Sequence, residues 1–104
     1  MNVCYWAEVN LGDKYFSGTF IDFITSVVSD NNPTSLRDNL TRLLQKQINS
    51  LIAHGGEKMI PRPSGIKLPL NVSMQFIGFI PIIIDVPKMV VNEWTRIVIP
   101  AVLE

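Results

Sequence analysis

The sequence predicts a mixed α+β domain, and three observations carry that prediction. The first third alternates β-forming residues. A leucine and isoleucine stripe of helical period runs from Leu36 to Ile52. A long apolar run rich in isoleucine then extends from Gln75 to Val86. The length of 104 residues fits one domain spanning 1–104. There is no internal repeat and no low-complexity segment.

The elements follow in order. Val3, Tyr5, Ala7 and Val9 alternate with Cys4, Trp6, Glu8 and Asn10, which predicts a first strand. Leu11-Gly12-Asp13-Lys14 supplies a turn, and a second strand runs from Tyr15 to about Phe20. The β-branched run from Phe20 to Val28 predicts continued extended structure, split near Asp22. A polar loop, Ser29 to Ser35, precedes the helix. Leu36, Leu40, Leu43, Leu44, Ile48, Leu51 and Ile52 form its apolar stripe. Two start signals compete: Ser35 with Asp38 as a short capping box, and Asn32 before Pro33. His54-Gly55-Gly56 ends the helix, since glycine takes the left-handed conformation a C-terminus needs. Residues 57–69, with Pro61, Pro63, Gly65 and Pro69, read as a loop. In the run from Gln75 to Val86, apolar residues of both parities predict burial on both faces. Pro81 argues against a central strand without a bulge, because it cannot donate a ladder hydrogen bond. A bulge, or an edge with that N side unpaired, resolves the conflict. A last β-like run is Arg96-Ile97-Val98-Ile99, stopped by Pro100.

Composition narrows the function classes. Nine Lys and Arg balance nine Asp and Glu, and 47% of residues are hydrophobic. That combination runs against disorder and against a nucleic-acid footprint spread over the chain. Zero net charge with high apolar content favours association, so a homo-oligomer or a partner-bound protein is expected. The first residues carry no basic region followed by a long apolar core, and the uncharged stretch from Leu68 to Ile84 is broken by Pro69, Asn71, Gln75 and Pro81. A cytoplasmic protein without membrane association is the expectation.

Catalytic equipment is sparse. The single cysteine, Cys4, excludes an internal disulfide and is expected to be a buried small hydrophobe. His54 is the only histidine, and a helix-terminal role accounts for it. Glu8, Asp22 and Asp85 fall on predicted strands; convergence would let them hold magnesium for phosphodiester hydrolysis, but their spacing is not diagnostic. Gly55-Gly56-Glu57-Lys58 lacks the strand and spacing of a phosphate loop. Tyr5, Trp6, Tyr15 and Phe16 are strand aromatics with Lys14 as the only cation before Arg37, so core packing is favoured over base stacking. Met59, Met74 and Met89 are expected to fill gaps in the core. Trp94 stands in a polar setting and suits either self-packing or an interface anchor. No cofactor is expected, and the residues alone describe a small interaction module.

Two elements then carry a resemblance. Tyr15-Phe16-Ser17-Gly18-Thr19-Phe20-Ile21-Asp22 fits a Tyr-Phe-x-x-x-Phe-x-Asp strand pattern. After the helix opened by Ser35-Leu36, Gly55-Gly56-Glu57-Lys58-Met59-Ile60-Pro61-Arg62-Pro63-Ser64 fits a glycine-containing segment followed by Ile-Pro-x-Pro-Ser. An apolar strand then ends in Ile82-Ile83-Ile84-Asp85-Val86. In order and spacing this resembles the HicB antitoxin family over about residues 3–89. The sequence departs from that pattern in places. Phe23-Ile24-Thr25 stands where family members usually carry Leu-Pro-Gly, and Pro33-Thr34-Ser35 stands where they usually carry Gly-Asp-Thr.

The resemblance implies a degraded ribonuclease-H-like core of α+β class: an antiparallel three-stranded sheet, one main amphipathic helix and a further strand, ordered β-β-β-α-β. It implies no enzymatic activity. Its function would be that of an antitoxin that binds a small basic HicA-type toxin ribonuclease and blocks its access to mRNA. Tyr15, Phe16 and Asp22 are the expected partner contacts. Ile80, Ile82, Ile84 and Trp94 are the expected oligomer interface. Family members often continue into a DNA-binding ribbon, of which residues 92–104 would be a remnant, with operator DNA as a partner only if a C-terminal extension exists. Leu103-Glu104 is also compatible with vector sequence. The competing reading is an orphan oligomerisation or protein-interaction module without a toxin.

Overall fold

The computed structural model describes residues 1–66 and 75–95. Strands β1 (Asn2–Leu11), β2 (Phe16–Phe20) and β3 (Val28–Asp30) precede helix α1 (Pro33–Ala53), followed by strand β4 (Phe76–Asp85) and helix α2 (Lys88–Thr95). The sheet is antiparallel, four-stranded and ordered β3-β2-β1-β4. The further strand therefore joins the same sheet, on the side of β1 away from β2. None of the described helices is long and apolar enough to cross a membrane.

Parity decides the core. Tyr5, Ala7 and Val9 of β1 face the same way as Phe20 of β2 and as Ile82 and Ile84 of β4. Leu36, Leu40, Leu44 and Ile48 of α1 close over them. Those four helix residues are spaced one turn apart and form the buried centre of the predicted stripe. Gly18 lets the helix lie this close. A Cβ there would stand 2.6 Å from a Leu40 methyl carbon.

Helix α1 starts on the Asn32 signal, not the Ser35 one. The Asn32 side-chain oxygen accepts hydrogen bonds from the N–H groups of Thr34 at 2.8 Å and Ser35 at 3.2 Å, with Pro33 in the first turn. At the other end Gly55 has φ of +72°, and the Gly56 and Gly55 N–H groups donate to the Leu51 and Ile52 carbonyls. That pairing is the Schellman arrangement. His54 is the C-cap, and its ring Nδ1 lies 2.7 Å from the Ser50 carbonyl.

Several expectations change. The third strand is not the run from Phe20 to Val28. It is Val28–Asp30, the last residue of that run and the first two of the predicted loop, because Val28, Ser29 and Asp30 pair with Gly18, Ser17 and Phe16 while residues 21–27 form no strand. Asp30 stabilises that turn into the helix by accepting from Asn32 and Asn39. The predicted loop after α1 contains a 3-10 turn at Glu57–Met59. Helix α2 was not foreseen, and it occupies residues 92–95 of the proposed ribbon. The run Arg96 to Ile99 and Met74 lie outside the described residues.

Among the described residues strand β4 is an edge, which resolves the Pro81 conflict. The Ile21 N–H donates to the Trp6 carbonyl at 3.2 Å, so the polar backbone groups of Trp6 point toward β2. Pro81 lies opposite Trp6 on the other side, in a non-hydrogen-bonded pair, and its nitrogen turns away from β1. The bulge sits elsewhere, at the register shift beside Val9 and Asn10, where Gly78 has φ of +148°. Burial on both faces is not found in β4: Ile82 and Ile84 are buried, whereas Ile83 is 51% exposed.

Candidate interaction site

The two sequence elements of the resemblance meet. Asp22, just beyond β2, accepts hydrogen bonds from the Ser64 backbone N–H at 3.0 Å and from the Ser64 hydroxyl. The proline-rich segment between them is fastened twice more. The Tyr5 hydroxyl donates to the Pro61 carbonyl at 2.7 Å, and the Trp94 indole N–H donates to the Ile60 carbonyl at 3.2 Å. Prolines suit this role because they fix the segment's backbone and leave carbonyls as its hydrogen-bonding groups. The Tyr5 ring packs edge-on against Phe23 with centroids 4.9 Å apart. Burial first, and the nearby Asp22 charge second, push the Tyr5 hydroxyl far above the usual tyrosine range.

The segment so held forms one wall of a groove against α2. Ile60, Val90 and Trp94 supply its apolar lining, Met89 its lip, and Glu57, Glu93 and Lys58 its charges. Sequence reasoning left this groove unseen because its walls come from segments about thirty residues apart. Val90, Val91 and Trp94 are the helical-period signal that would have revealed α2. Met59 and Met89, expected in the core, are 72% and 68% exposed beside this groove or on its rim.

The predicted contact residues separate. Tyr15 is 55% exposed and free to touch a partner. Phe16 packs against the core, and Asp22 is engaged by Ser64. Of the expected oligomer residues, Ile82 and Ile84 are fully buried under α1, so they present no surface. Ile80 and Trp94 also pack against this core. The alternation of a strand explains the correction: the surface residues of β4 are those of the other parity, Phe79, Pro81 and Ile83.

The three strand carboxylates do not converge. Glu8 lies opposite Phe79 and Thr19, whereas Asp85 lies opposite Asn2, six residues and about 20 Å along the strand. Asp22 faces Ser64 beyond the end of β2. Among the described residues no three His, Cys, Asp or Glu side chains group as metal ligands. Comparison with protein-family models, curated proteins and solved structures returns no match.

Proposed function

We propose that this chain is an antitoxin-like protein that binds a small basic HicA-type ribonuclease and blocks its access to mRNA. The observation that carries this reading is the Asp22–Ser64 pair. It joins, across 42 residues, the two sequence elements in which the resemblance lies. The order of three strands, one helix and a strand agrees with the architecture that the resemblance implies.

The mechanism is occlusion. A basic partner finds apolar contact at Met89 and Trp94 and a carboxylate at Glu57 along the groove. The fixed indole N–H of Trp94 keeps its ring in place, which lowers the entropy lost on binding. The reading places this action in the cytoplasm, where mRNA is translated. Operator binding belongs to it only with a C-terminal extension.

Co-expression with the adjacent small reading frame tests the proposal. The expected result is relief of growth arrest and co-purification of a stable complex, weakened at least tenfold by Glu57→Lys combined with Met89→Glu. A basic neighbour that neither binds nor is inhibited overturns it.

A further inference from the structure

Helix α2 has eight residues, and a helix that short does not hold its shape in water on its own. Its stability comes from what it rests on. Val90 is its buried residue, and Val91 and Trp94 pack beside it against the core. The chain entering the helix is fixed. The Gln45 side chain engages both backbone groups of Asp85, and the Val86 N–H donates to the Met1 carbonyl at 2.9 Å. The far end is tied by the Trp94 indole, whose acceptor is the Ile60 carbonyl of the proline-rich segment.

That segment is held from both sides. Its Ile60 carbonyl serves α2, and the next carbonyl, that of Pro61, accepts from Tyr5 of β1. Ser64 then gives its N–H and its hydroxyl to Asp22. Pro61 and Pro63 fix φ at two positions in between, so the segment moves as a stiff strip. Among the described core residues, the segment and α2 together supply Ile60 and Val90. The contact of α1 with β1, β2 and β4 is made without them.

We propose that the proline-rich segment and α2 form one cooperative unit that opens from the body of the protein together, with the Asp22–Ser64 pair as its outer latch. Both walls of the groove belong to this unit, so the groove is made or lost in one step. Asp22 is then a positioning residue. It sets the groove from the far end of the strip without lining it. Coupling of this kind is reciprocal: whatever seats in the groove tightens the latch, and loss of the latch weakens the groove.

This inference rests on the groove and not on the toxin reading, and its test uses the isolated full chain. Residue-resolved hydrogen exchange reads the opening. In the unaltered chain the Ile60 amide, bonded to the Glu57 carbonyl, and the Trp94 amide within α2 should show matching protection, at least about tenfold below that of Leu44 in α1. A bond that breaks on opening stabilises the closed state alone, so its removal speeds that opening; a bond that survives in the open state has no such effect. Asp22→Ala should therefore speed exchange at Trp94 by about fivefold or more, and Trp94→Phe should do the same at Ile60. Unchanged Trp94 exchange in Asp22→Ala overturns the proposal. So does unequal protection of Ile60 and Trp94 in the unaltered chain, or protection of both equal to that of Leu44, readouts that hold even if a variant fails to fold.

Discussion

Ile83 and Ile84 are consecutive, identical in chemistry and part of the same strand, yet they live in different surroundings. Ile84 is fully buried beneath α1, whereas Ile83 is 51% exposed on the opposite face. The contrast holds for the whole sheet. One face is closed by a leucine-striped helix seated over Gly18, and the other carries Trp6, Phe79 and Pro81, which are half-buried and stand outside that core. Identical isoleucines therefore meet different fates here, one sealed in the core and the other half-exposed.

The largest test of this contrast is a pair of truncations. Ile84→Ala should cost about 2–5 kcal/mol in urea unfolding, because it leaves a cavity in a packed core. Ile83→Ala should change the stability of the monomer by less than about 0.5 kcal/mol. Equal costs would mean that the two faces are equally covered. Next, Gly18→Val should destabilise by about 1–3 kcal/mol, since the added carbons meet a Leu40 that is itself fully buried.

A smaller effect concerns the fastening of the proline-rich segment. Tyr5 is harder to ionise in the folded chain than in the unfolded one. The unfolded state thus loses its proton first, and folding stability should fall as pH rises above about 10. Tyr5→Phe should abolish that alkaline slope and cost about 1 kcal/mol at neutral pH through loss of the bond to Pro61. Unfolding followed from pH 8 to 11 checks both. The smallest effect is at the guarded edge. Gln45→Ala removes two hydrogen bonds to Asp85 and should cost about 1 kcal/mol, with faster hydrogen exchange at the Asp85 amide as the direct readout.

Local signals were the legible ones. The stripe from Leu36 to Ile52 and the glycine pair after His54 place α1 within three residues at its start and one at its end, because helical period and capping are properties of neighbouring residues. The run Gln75 to Val86 contains β4 for the same reason. Short elements that depend on distant partners were misread. Val28–Asp30 is a strand only because Phe16, Ser17 and Gly18 lie beside it. Of the site, the sequence presented Tyr15, Asp22 and Ser64 as parts of motifs. It did not present their fates: Asp22 is held by Ser64, and Tyr15 is left exposed.

The sequence by itself thus determined an α+β class, a helix with its ends and an apolar final strand, all written in spacings of a few residues. The tertiary structure alone decided that β4 lies beside β1 and which parity of its isoleucines turns inward. A strand with apolar residues at both parities carries no internal preference between its faces. The register against β1 and the helix seated on one side supply that preference, and both are made by residues far away in the chain.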